Sequence, residues 1–423
     1  MKTPAPFMWS FCLSDEKIQF RRETDGVVTA DTVLDAGCLT VTLKYSWKDE
    51  PLCLSAEADS SCAAEIVFFE HRIELKINGT LSDEEWPVGE PLFYESPFTV
   101  KNVVLTETPV TEDKKIPPCV TGSFEGAEGW CPGDGVFVGD CMPYSFDGRF
   151  HLMYLRDRHH HGSKWGRGAH QWGHISSDDL ISWDIHPTAV GIDSQWEGSI
   201  CTGSWIFLDG VHYLYYTVRT ADGSPAPICR SVSDDGYHFT KDESFRFTLS
   251  DRYKSTSARD PKVIKDADGR LHMLVTTTDL TQNRGCLAHL VSSDGESFAE
   301  CGNIYTANNE SEPECPDYFF FGGKYYLLFS HGASAQYRLS DKPFSGFTAP
   351  DDPTIPCASV PKCAVWNGRI LFAGFRAEDC YAGTVTFCEA HQLPDGTLSF
   401  GKVPEMETKS KSLPERTEKG DML

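Results

Sequence analysis

The chain has 423 residues, a length for which two domains are expected, and 40% hydrophobic with 12% aromatic residues is a globular composition. Its formal charge of −24 at pH 7 argues against binding to nucleic acid or to an anionic membrane surface, because both need clustered Lys and Arg. No apolar run reaches the roughly 18 residues of a membrane span. The first residues carry Pro and charges where a signal peptide has an apolar core. We therefore expect a cytoplasmic protein.

The first part of the chain reads as a series of short strands. Stretches such as "GCLTVTLKYSW" and "AEIVFFEHRIELKING" alternate apolar and polar residues, and turn signals including Asn78-Gly79 separate them. This pattern is typical of a β-sandwich. A segment rich in Pro, Gly and charge follows, so the predicted sandwich domain covers residues 1–120.

From Val136 onward, five similar units follow one another, each built around a turn between two hydrophobic strands. The spacing between their turn glycines is 62, 59, 54 and 45 residues. The glycines are Gly148, Gly210, Gly269, Gly323 and Gly368. Several units continue with a more polar hairpin, which makes about four antiparallel strands in each. Repeats of this size are typical of propeller blades.

These units predict an all-β protein in which a β-sandwich precedes a five-bladed β-propeller over residues 121–405. The polar residues 406–423 are expected to form a fraying tail. The 16 cysteines are scattered and include no C-x-x-C pair. In a reducing compartment they are best explained as small buried hydrophobic residues.

Three acids stand at the beginning of the first hydrophobic strand of three different units. They are Asp140 in "VGDCMP", Asp260 in "SARDPKV" and Glu314 in "PECPDYF". The innermost strands of a propeller line its central channel, so these acids are expected to converge on one pocket. Two nearby carboxylates supply a nucleophile and a proton donor, the minimum for cleaving a glycosidic bond. A single Asp at such a place is more often a turn former, but the same position in three units favours catalysis.

Other residue types near the acids fit the same chemistry. The aromatic side chains of Trp172, Trp196 and Tyr318 suit stacking on a sugar, and Arg259 suits tuning of an adjacent acid. The run His159, His160, His161 is a poor chelate, because consecutive residues of an extended strand point to opposite faces. No metal and no cofactor are expected.

Four ordered blocks resemble glycoside hydrolase family 32, the invertase and fructanase family, over roughly residues 135–385. They are "ARDPKV", "PECPDYFFFGGKYYLL", "HQWGHISSDDLISWDIHP" and "WEGSICTGS". The resemblance implies that Asp140 is the nucleophile, Asp260 the stabiliser of the transition state and Glu314 the acid/base of a retaining mechanism. The substrate-binding residues expected from these blocks and their surroundings are Arg259, Trp172, His174, Trp196, Ser204 and His160.

The chain departs from the family pattern beside the first acid. The family block usually reads W-M-N-D-P-N-G, whereas this chain has Gly139 for the Asn and Cys141 for the Pro, and Leu155 stands where a Gln is usual. In the family this Asn and this Gln help to hold the furanose ring. Plain sucrose or inulin is therefore not the expected substrate.

The N-terminal part resembles a concanavalin-like or laminin-G-like domain, chiefly through "RIELKINGTLSDEEWPVGE". In family 32 a sandwich normally follows the propeller, so its position here is unusual. It either binds carbohydrate or covers the propeller and builds a homo-oligomer, and the structural role is favoured.

The leading hypothesis from the sequence is a retaining glycosidase that cleaves a β-fructofuranoside-like bond in a small oligosaccharide. One alternative uses the same acids for glycosyl transfer or on an arabinofuranoside. Another is a propeller that binds carbohydrate without cleaving it, although such a module has no need of three acids.

Overall fold

In the computed structural model of the protein, the described residues are 7–13, 19–24, 27–44, 51–69, 72–85, 98–101, 104–110, 121–133, 135–158, 160, 170–194, 196–331, 334–378 and 381–407. They form thirty strands, β1 to β30 in chain order, one turn of 3-10 helix at Ser255–Ser257 and one short α-helix. No helix in these ranges is long and apolar enough to cross a membrane. Residues 111–120, next to the predicted domain boundary at 120–121, lie outside the described residues. So do residues 408–423 of the predicted tail 406–423.

The N-terminal strands build two five-stranded antiparallel sheets. The first sheet has the spatial order β10 (Thr106–Pro109), β1 (Phe7–Cys12), β6 (Ala63–Phe68), β7 (Ile73–Ile77) and β8 (Thr80–Glu85). The second has the order β5 (Leu52–Glu57), β4 (Cys38–Leu43), β3 (Val27–Asp35), β2 (Gln19–Thr24) and β9 (Phe98–Lys101). Every second residue of β1 is buried, and Trp9, Phe20 and Phe68 pack edge to face in the shared core. The alternation of the sequence thus buries one face of each sheet.

The remaining strands form five blades, which confirms the predicted five-bladed β-propeller after a β-sandwich. Blade 1 comprises β12 (Val136–Phe146), β13 (Arg149–Arg158), β14 (Gln171–Ser177) and β15 (Ser182–Val190), with β11 (Gly122–Glu125) added at its outer edge. Blade 2 comprises β16 (Glu197–Leu208), β17 (Val211–Thr220), β18 (Ile228–Ser233) and β19 (Thr240–Phe247). Blade 3 comprises β20 (Arg259–Lys265), β21 (Leu271–Asp279), β22 (Arg284–Ser292) and β23 (Ala299–Thr306).

The last two blades are less regular. Blade 4 has three strands, β24 (Glu314–Phe321), β25 (Lys324–His331) and β26 (Ser334–Ser340), and isolated bridges at Thr348 and Thr354 stand in for a fourth. Blade 5 comprises β27 (Ser359–Trp366), β28 (Arg369–Ala377), β29 (Gly383–Gln392) and β30 (Leu398–Gly401). The helix α1 (Pro404–Glu407) follows it and buries Met406 in the core of blades 1 and 5.

The repeated turn glycines occupy the same place in every blade, between the first and second strands. All five have positive φ, from 76° at Gly368 to 90° at Gly210. In three of the turns the preceding Asp or Asn is left-handed as well, at Asp147, Asp209 and Asn367. Two left-handed residues in a row make the tight hairpin turn that matches the twist of the strands. The repeat in the sequence is therefore a repeat of one hairpin.

The innermost strand of every blade carries a β-bulge at the same position. Two residues of the inner strand lie opposite one residue of the second strand. The bulged pairs are Gly139–Asp140, Cys201–Thr202, Asp260–Pro261, Cys315–Pro316 and Val360–Pro361. A bulge leaves one residue without a ladder hydrogen bond, which is why Pro is tolerated in three of these pairs. The bulges re-aim side chains toward the axis of the propeller.

The sandwich and the propeller are joined by buried ion pairs. Arg158, at the end of β13, donates to Glu84 Oε1 at 2.7 Å and lies 3.4 Å from Asp83 Oδ1, both on β8. The side chains of Asp83 and Glu84 are only 4% and 5% exposed. Because a buried charge without its partner is costly, these contacts fix the sandwich against blade 1.

Candidate active site

The five bulges surround a cavity of about 260 Å³. Bulge residues of four blades line it, and blade 4 contributes Glu314, the residue directly before its bulge. Other lining residues are Leu155, His170, Ser199, Arg219, Arg259, Phe375 and Tyr381. The three acids predicted to converge, Asp140, Asp260 and Glu314, all face this cavity.

Asp140 and Asp260 are joined through one hydroxyl group. The Thr202 Oγ1 atom lies 3.0 Å from Asp140 Oδ2 and 2.8 Å from Asp260 Oδ1. A hydroxyl has one proton to donate, so Thr202 serves one carboxylate at a time and keeps both within reach of a common centre. The sequence analysis did not identify Thr202. Its position in the bulge of blade 2, equivalent to the acids of blades 1 and 3, could have indicated it.

Cys315 holds the same two acids from blade 4. Its backbone N–H donates to Asp260 Oδ2 at 3.0 Å, and its thiol donates to Asp140 Oδ2 at 3.3 Å. Burial, with the charges of Asp140 and Asp260, raises the pKa of Cys315 well above its usual value. It therefore stays a neutral thiol and a hydrogen-bond donor. Both oxygens of the buried Asp260 are used as acceptors, so this carboxylate is held rigidly.

Three residues of the bulges are held in an unusual backbone conformation. Asp260 has φ 58° and Cys315 has φ 52°, and Val360 of blade 5 has φ 39°. Residues other than Gly rarely adopt positive φ, and such strain is concentrated at functional sites. Here the strain directs the Asp260 side chain to Thr202 and the Cys315 thiol to Asp140.

Glu314 is the most exposed of the three acids and lies beside a fixed cation. Its side chain is 40% exposed, and its Oε1 accepts a hydrogen bond of 3.0 Å from Arg259. Arg259 also donates to Glu312 Oε2 and to the Ser257 carbonyl. Burial alone would lower the pKa of Arg259, but Asp260, Glu312 and Glu314 raise it well above its usual value. Arg259 is thus a permanent cation that orients Glu314, and its predicted tuning of an acid stays a prediction.

Glu312 is a second residue that the sequence analysis missed. Burial acts to raise the pKa of its carboxyl, but Arg259, Ser257 and Thr278 outweigh burial and lower it. Glu312 therefore stays charged and supports Arg259, and it is unsuited to donate a proton. Only its position two residues before Glu314 could have drawn attention to it in the sequence.

Tyr381 contacts the first acid from blade 5. Its hydroxyl donates to Asp140 Oδ1 at 2.8 Å and lies 3.4 Å from the Asp140 backbone nitrogen. Burial and the neighbouring Asp140 raise the pKa of Tyr381 well above its usual value, so it stays protonated. The stretch "EDCYAGTV" has no repeat or motif that could have indicated this residue.

His160 and His170 support the cavity from the side of blade 1. His170 lines the cavity, bonds Asp157 at 2.6 Å through Nε2 and stacks on the ring of Tyr381. The Nδ1 of His160 bonds the carbonyl oxygen of Tyr381 at 2.9 Å, and its ring stacks on Phe137. His160, predicted to bind substrate, thus contacts a wall residue from behind. The predictions for His159 and His161 concern residues outside the described ranges.

Three other predicted sugar contacts lie away from the cavity, which corrects their assignment. Trp172 is fully buried between blades 1 and 2, where its Nε1 donates to the Cys201 carbonyl at 2.9 Å. Ser204 is buried between blades 2 and 3 and bonds the backbone of Pro261 and Val263. Tyr318 is 5% exposed and stacks on Phe344. These residues face neighbouring blades because successive strand residues point to opposite faces.

His174 and Trp196 also lie elsewhere. His174 is fully buried, and its Nε2 is 3.0 Å from His151 Nδ1. Trp196 lies under the guanidinium of Arg246, in a separate cavity of about 240 Å³. Neither contacts the acids, so their assignment as substrate-binding residues is also corrected. Of the six predicted binding residues, Arg259 is the one that lines the cavity with the acids.

The described residues contain no group of three or more His, Cys, Asp or Glu side chains that could hold a metal ion. All the cysteines in the described ranges are free, and those on the inner strands of the blades, such as Cys141, Cys201 and Cys315, are buried. The site is thus one of carboxylates, hydroxyls, one thiol and an arginine.

Comparison with known proteins shows which enzymes this propeller resembles. Residues 141–348 match the family model described as the glycosyl hydrolases family 32 N-terminal domain. The chain is 30% identical over 200 residues to sucrose-6-phosphate hydrolase of Escherichia coli, which covers 44% of this chain and 39% of that protein. It is also 30% identical over 194 residues to raffinose invertase of Escherichia coli, covering 44% and 39%. The chain thus spans about two fifths of the length of these relatives.

Solved structures show the same fold. Fructan 1-exohydrolase IIa from Cichorium intybus superposes with a TM-score of 0.56 at 16% identity, covering 67% of this chain and 61% of that one. Sucrose-6-phosphate hydrolase from Lactobacillus gasseri gives 0.51 at 17% identity, covering 64% and 63%. The family match begins one residue after Asp140 and includes Asp260 and Glu314. Residues 141–348 thus match the family 32 N-terminal domain, and the propeller has the fold of these solved structures.

Proposed function

We propose that the protein is a retaining glycoside hydrolase that cleaves a β-fructofuranoside-like bond in a small oligosaccharide. The observation that carries this proposal is the convergence of Asp140, Asp260 and Glu314, from three blades, on one cavity. The match of residues 141–348 to the family 32 N-terminal domain and their likeness to sucrose-6-phosphate hydrolases support the same reaction.

The surroundings of the three acids suit different tasks. Asp140 accepts hydrogen bonds from Tyr381, Thr202 and Cys315, which fix the direction of its carboxylate. This suits a nucleophile that attacks the anomeric carbon. Glu314 is held by Arg259 but remains open to solvent, which suits exchange of a proton with a leaving group and with water. Asp260, held on both oxygens, suits stabilisation of a sugar that carries positive charge.

The reaction then runs in two steps. In the first, an Asp140 oxygen bonds to the anomeric carbon while the bond to the leaving oxygen breaks and Glu314 gives that oxygen its proton. In the second, Glu314 takes a proton from water, whose oxygen displaces Asp140 and releases the sugar with its original configuration. This route needs the Asp140 and Glu314 carboxyls about 5–5.5 Å apart.

The choice of sugar depends on two polar residues of the family that are replaced in this chain. Leu155 lines the cavity and Gly139 adjoins Asp140, so part of the polar contact to a fructose ring is missing. An arabinofuranoside is therefore the second candidate substrate. Reducing-sugar release from fructosides, arabinofuranosides and difructose anhydrides separates the two.

The decisive test replaces the nucleophile. The Asp140→Ala variant should lose turnover on every substrate of the wild-type enzyme, and azide should restore it as a glycosyl azide of inverted configuration. Asp268→Ala removes an exposed acid of a blade 3 turn, 78% exposed, and serves as the control that keeps wild-type rates. If Asp140→Ala retains turnover, or if the wild-type product is inverted, the proposed mechanism is wrong.

A further inference from the structure

The backbone beside Asp140 passes so close to Tyr381 that no side chain fits there. A Cβ atom placed on Gly139 would lie 2.7 Å from the Tyr381 hydroxyl oxygen, 3.2 Å from Tyr381 Cε1 and 3.2 Å from Leu155 Cβ. The φ of Gly139 is not in the left-handed region. Glycine is thus required at 139 by the space that Tyr381 occupies, and not by the backbone conformation.

The same hydroxyl holds the carboxylate of Asp140. It donates to Oδ1 at 2.8 Å, while Thr202 and Cys315 take Oδ2 from the other side. With donors on both oxygens, rotation of the carboxylate about its Cβ–Cγ bond is opposed. A hydrogen bond to a charged group contributes more than one between neutral groups.

The ring of Tyr381 is itself fixed. It stacks on His170 with ring centres 5.4 Å apart, and the edge of Phe375 meets it at 5.2 Å. His160 bonds its backbone carbonyl. Because its ring is packed on both sides, Tyr381 cannot change rotamer without a cost in free energy when atoms are added at Gly139.

We infer that Tyr381 is a positioning residue for Asp140. Its ring also bounds the cavity next to Asp140, because it occupies the space that a side chain at position 139 would fill. The inference rests on the proposed role of Asp140 as nucleophile. With Leu155 and Phe375, the Tyr381 ring makes this wall of the cavity apolar, and its hydroxyl is already bonded to Asp140. A sugar bound against this wall is thus recognised by shape rather than by hydrogen bonds to the wall.

The test is a double-mutant cycle between Gly139→Ala and Tyr381→Phe. Tyr381→Phe removes the hydroxyl and should lower kcat about 10- to 100-fold with KM little changed, because the lost hydrogen bond positions the nucleophile. Gly139→Ala adds the crowded Cβ and should lower kcat strongly when Tyr381 is intact. In the Tyr381→Phe background the closest contact is gone, so the same Ala should cost much less.

A second readout does not depend on turnover. The melting temperature should fall more for Gly139→Ala when Tyr381 is intact than in the Tyr381→Phe background, since a steric clash couples the two sites. The matched control is Tyr253→Phe, which removes a hydroxyl bonded to Gly302 and Asn303 in blade 3 and should leave kcat unchanged.

The outcomes separate the inference from the proposed function. If the two substitutions are additive in both kcat and melting temperature, Tyr381 does not fill this space. If Tyr381→Phe keeps full kcat, Tyr381 does not position Asp140. If instead Asp140→Ala is active while the melting temperatures still couple, the steric part of the inference stands and the proposed nucleophile is wrong.

Discussion

At the cavity, three carboxylates of blades 1, 3 and 4 face solvent or accept hydrogen bonds from a hydroxyl, a thiol or an arginine. A second cluster of titratable groups consists of His151, His174 and His186. His151 lies on β13 four residues before Leu155, which is roughly 13 Å along the strand. Here burial governs. It lowers the pKa of His151 to about 3, that of His186 to about 4 and that of His174 well below its usual value.

The difference shows what makes titratable groups a site. The carboxylates have hydrogen-bond donors that hold them in place, and they line a cavity. The histidines are packed against one another, Trp205 and Tyr237, and within the described residues His151 Nε2 and His174 Nδ1 have no hydrogen-bond partner. They are kept neutral and serve packing. Both clusters are dense in titratable groups, yet only the carboxylates line a cavity and suit the proton transfer proposed above.

The largest expected effect belongs to the cavity. Glu314→Gln should lower kcat about 10²- to 10⁴-fold, because the amide has no acidic proton for the leaving oxygen. Its melting temperature should stay near that of the wild type, since the side chain is 40% exposed. The internal control is an aryl furanoside with an acidic phenol, which leaves without protonation and should be cleaved almost normally in the first step. Equal losses of kcat/KM, which reports the first step, on both substrates would remove Glu314 from the role of acid.

The next effect belongs to the histidine cluster. His174→Ala should lower the free energy of unfolding by about 1–3 kcal/mol, because it leaves a gap in a fully buried ring cluster. KM should be unchanged. Both quantities are measured on the same samples, KM by steady-state kinetics and the free energy of unfolding by urea denaturation. A raised KM with unchanged stability would place His174 at the sugar after all and end the contrast between the two clusters.

The smallest effect is a dependence on pH. Unfolded histidines take up a proton near pH 6.5, whereas His151 and His186 in the folded protein resist it down to about 3 and 4. Between these values the unfolded chain binds more protons, so the free energy of unfolding should fall as pH drops from about 6.5 and be undiminished above it. For the buried His151 the slope approaches about 1.4 kcal/mol per pH unit.

His151→Gln should make the fall in stability between pH 6 and pH 4 shallower. The control is His391→Gln, which makes the same chemical change at an exposed position on β29, outside the buried cluster. Identical slopes for all three proteins would show that other groups cause the loss of stability in acid.

The sequence predicted the architecture well because the propeller repeats a short local signal. The hairpin turns at Gly148, Gly210 and their equivalents depend on two residues each, and such signals survive without knowledge of the fold. The three acids were found for the same reason, since each stands eight or nine residues before a turn glycine.

The contacts of these acids could not be predicted, because they join distant parts of the chain. Tyr381 reaches Asp140 across 241 residues and Cys315 reaches it across 175. The misplaced Trp172, Ser204 and Tyr318 lie in the expected blades, but a one-residue difference decides whether a strand side chain meets the cavity or the next blade. The sequence showed that Gly139 departs from the family block, but it did not show that Tyr381 occupies the space beside Gly139.

The bulges described above give every blade the same backbone plan at the cavity. Each is a two-for-one insertion whose backbone pairing is closed within its own hairpin. The side chains displayed there bond across blades, as Thr202 and Cys315 do to Asp140. Asp140 and Asp260 occupy two of these places, whereas Val360 on blade 5 carries no polar group. A new side chain at one of these places therefore keeps the backbone pairing of its blade but has to fit the hydrogen bonds that the other blades supply.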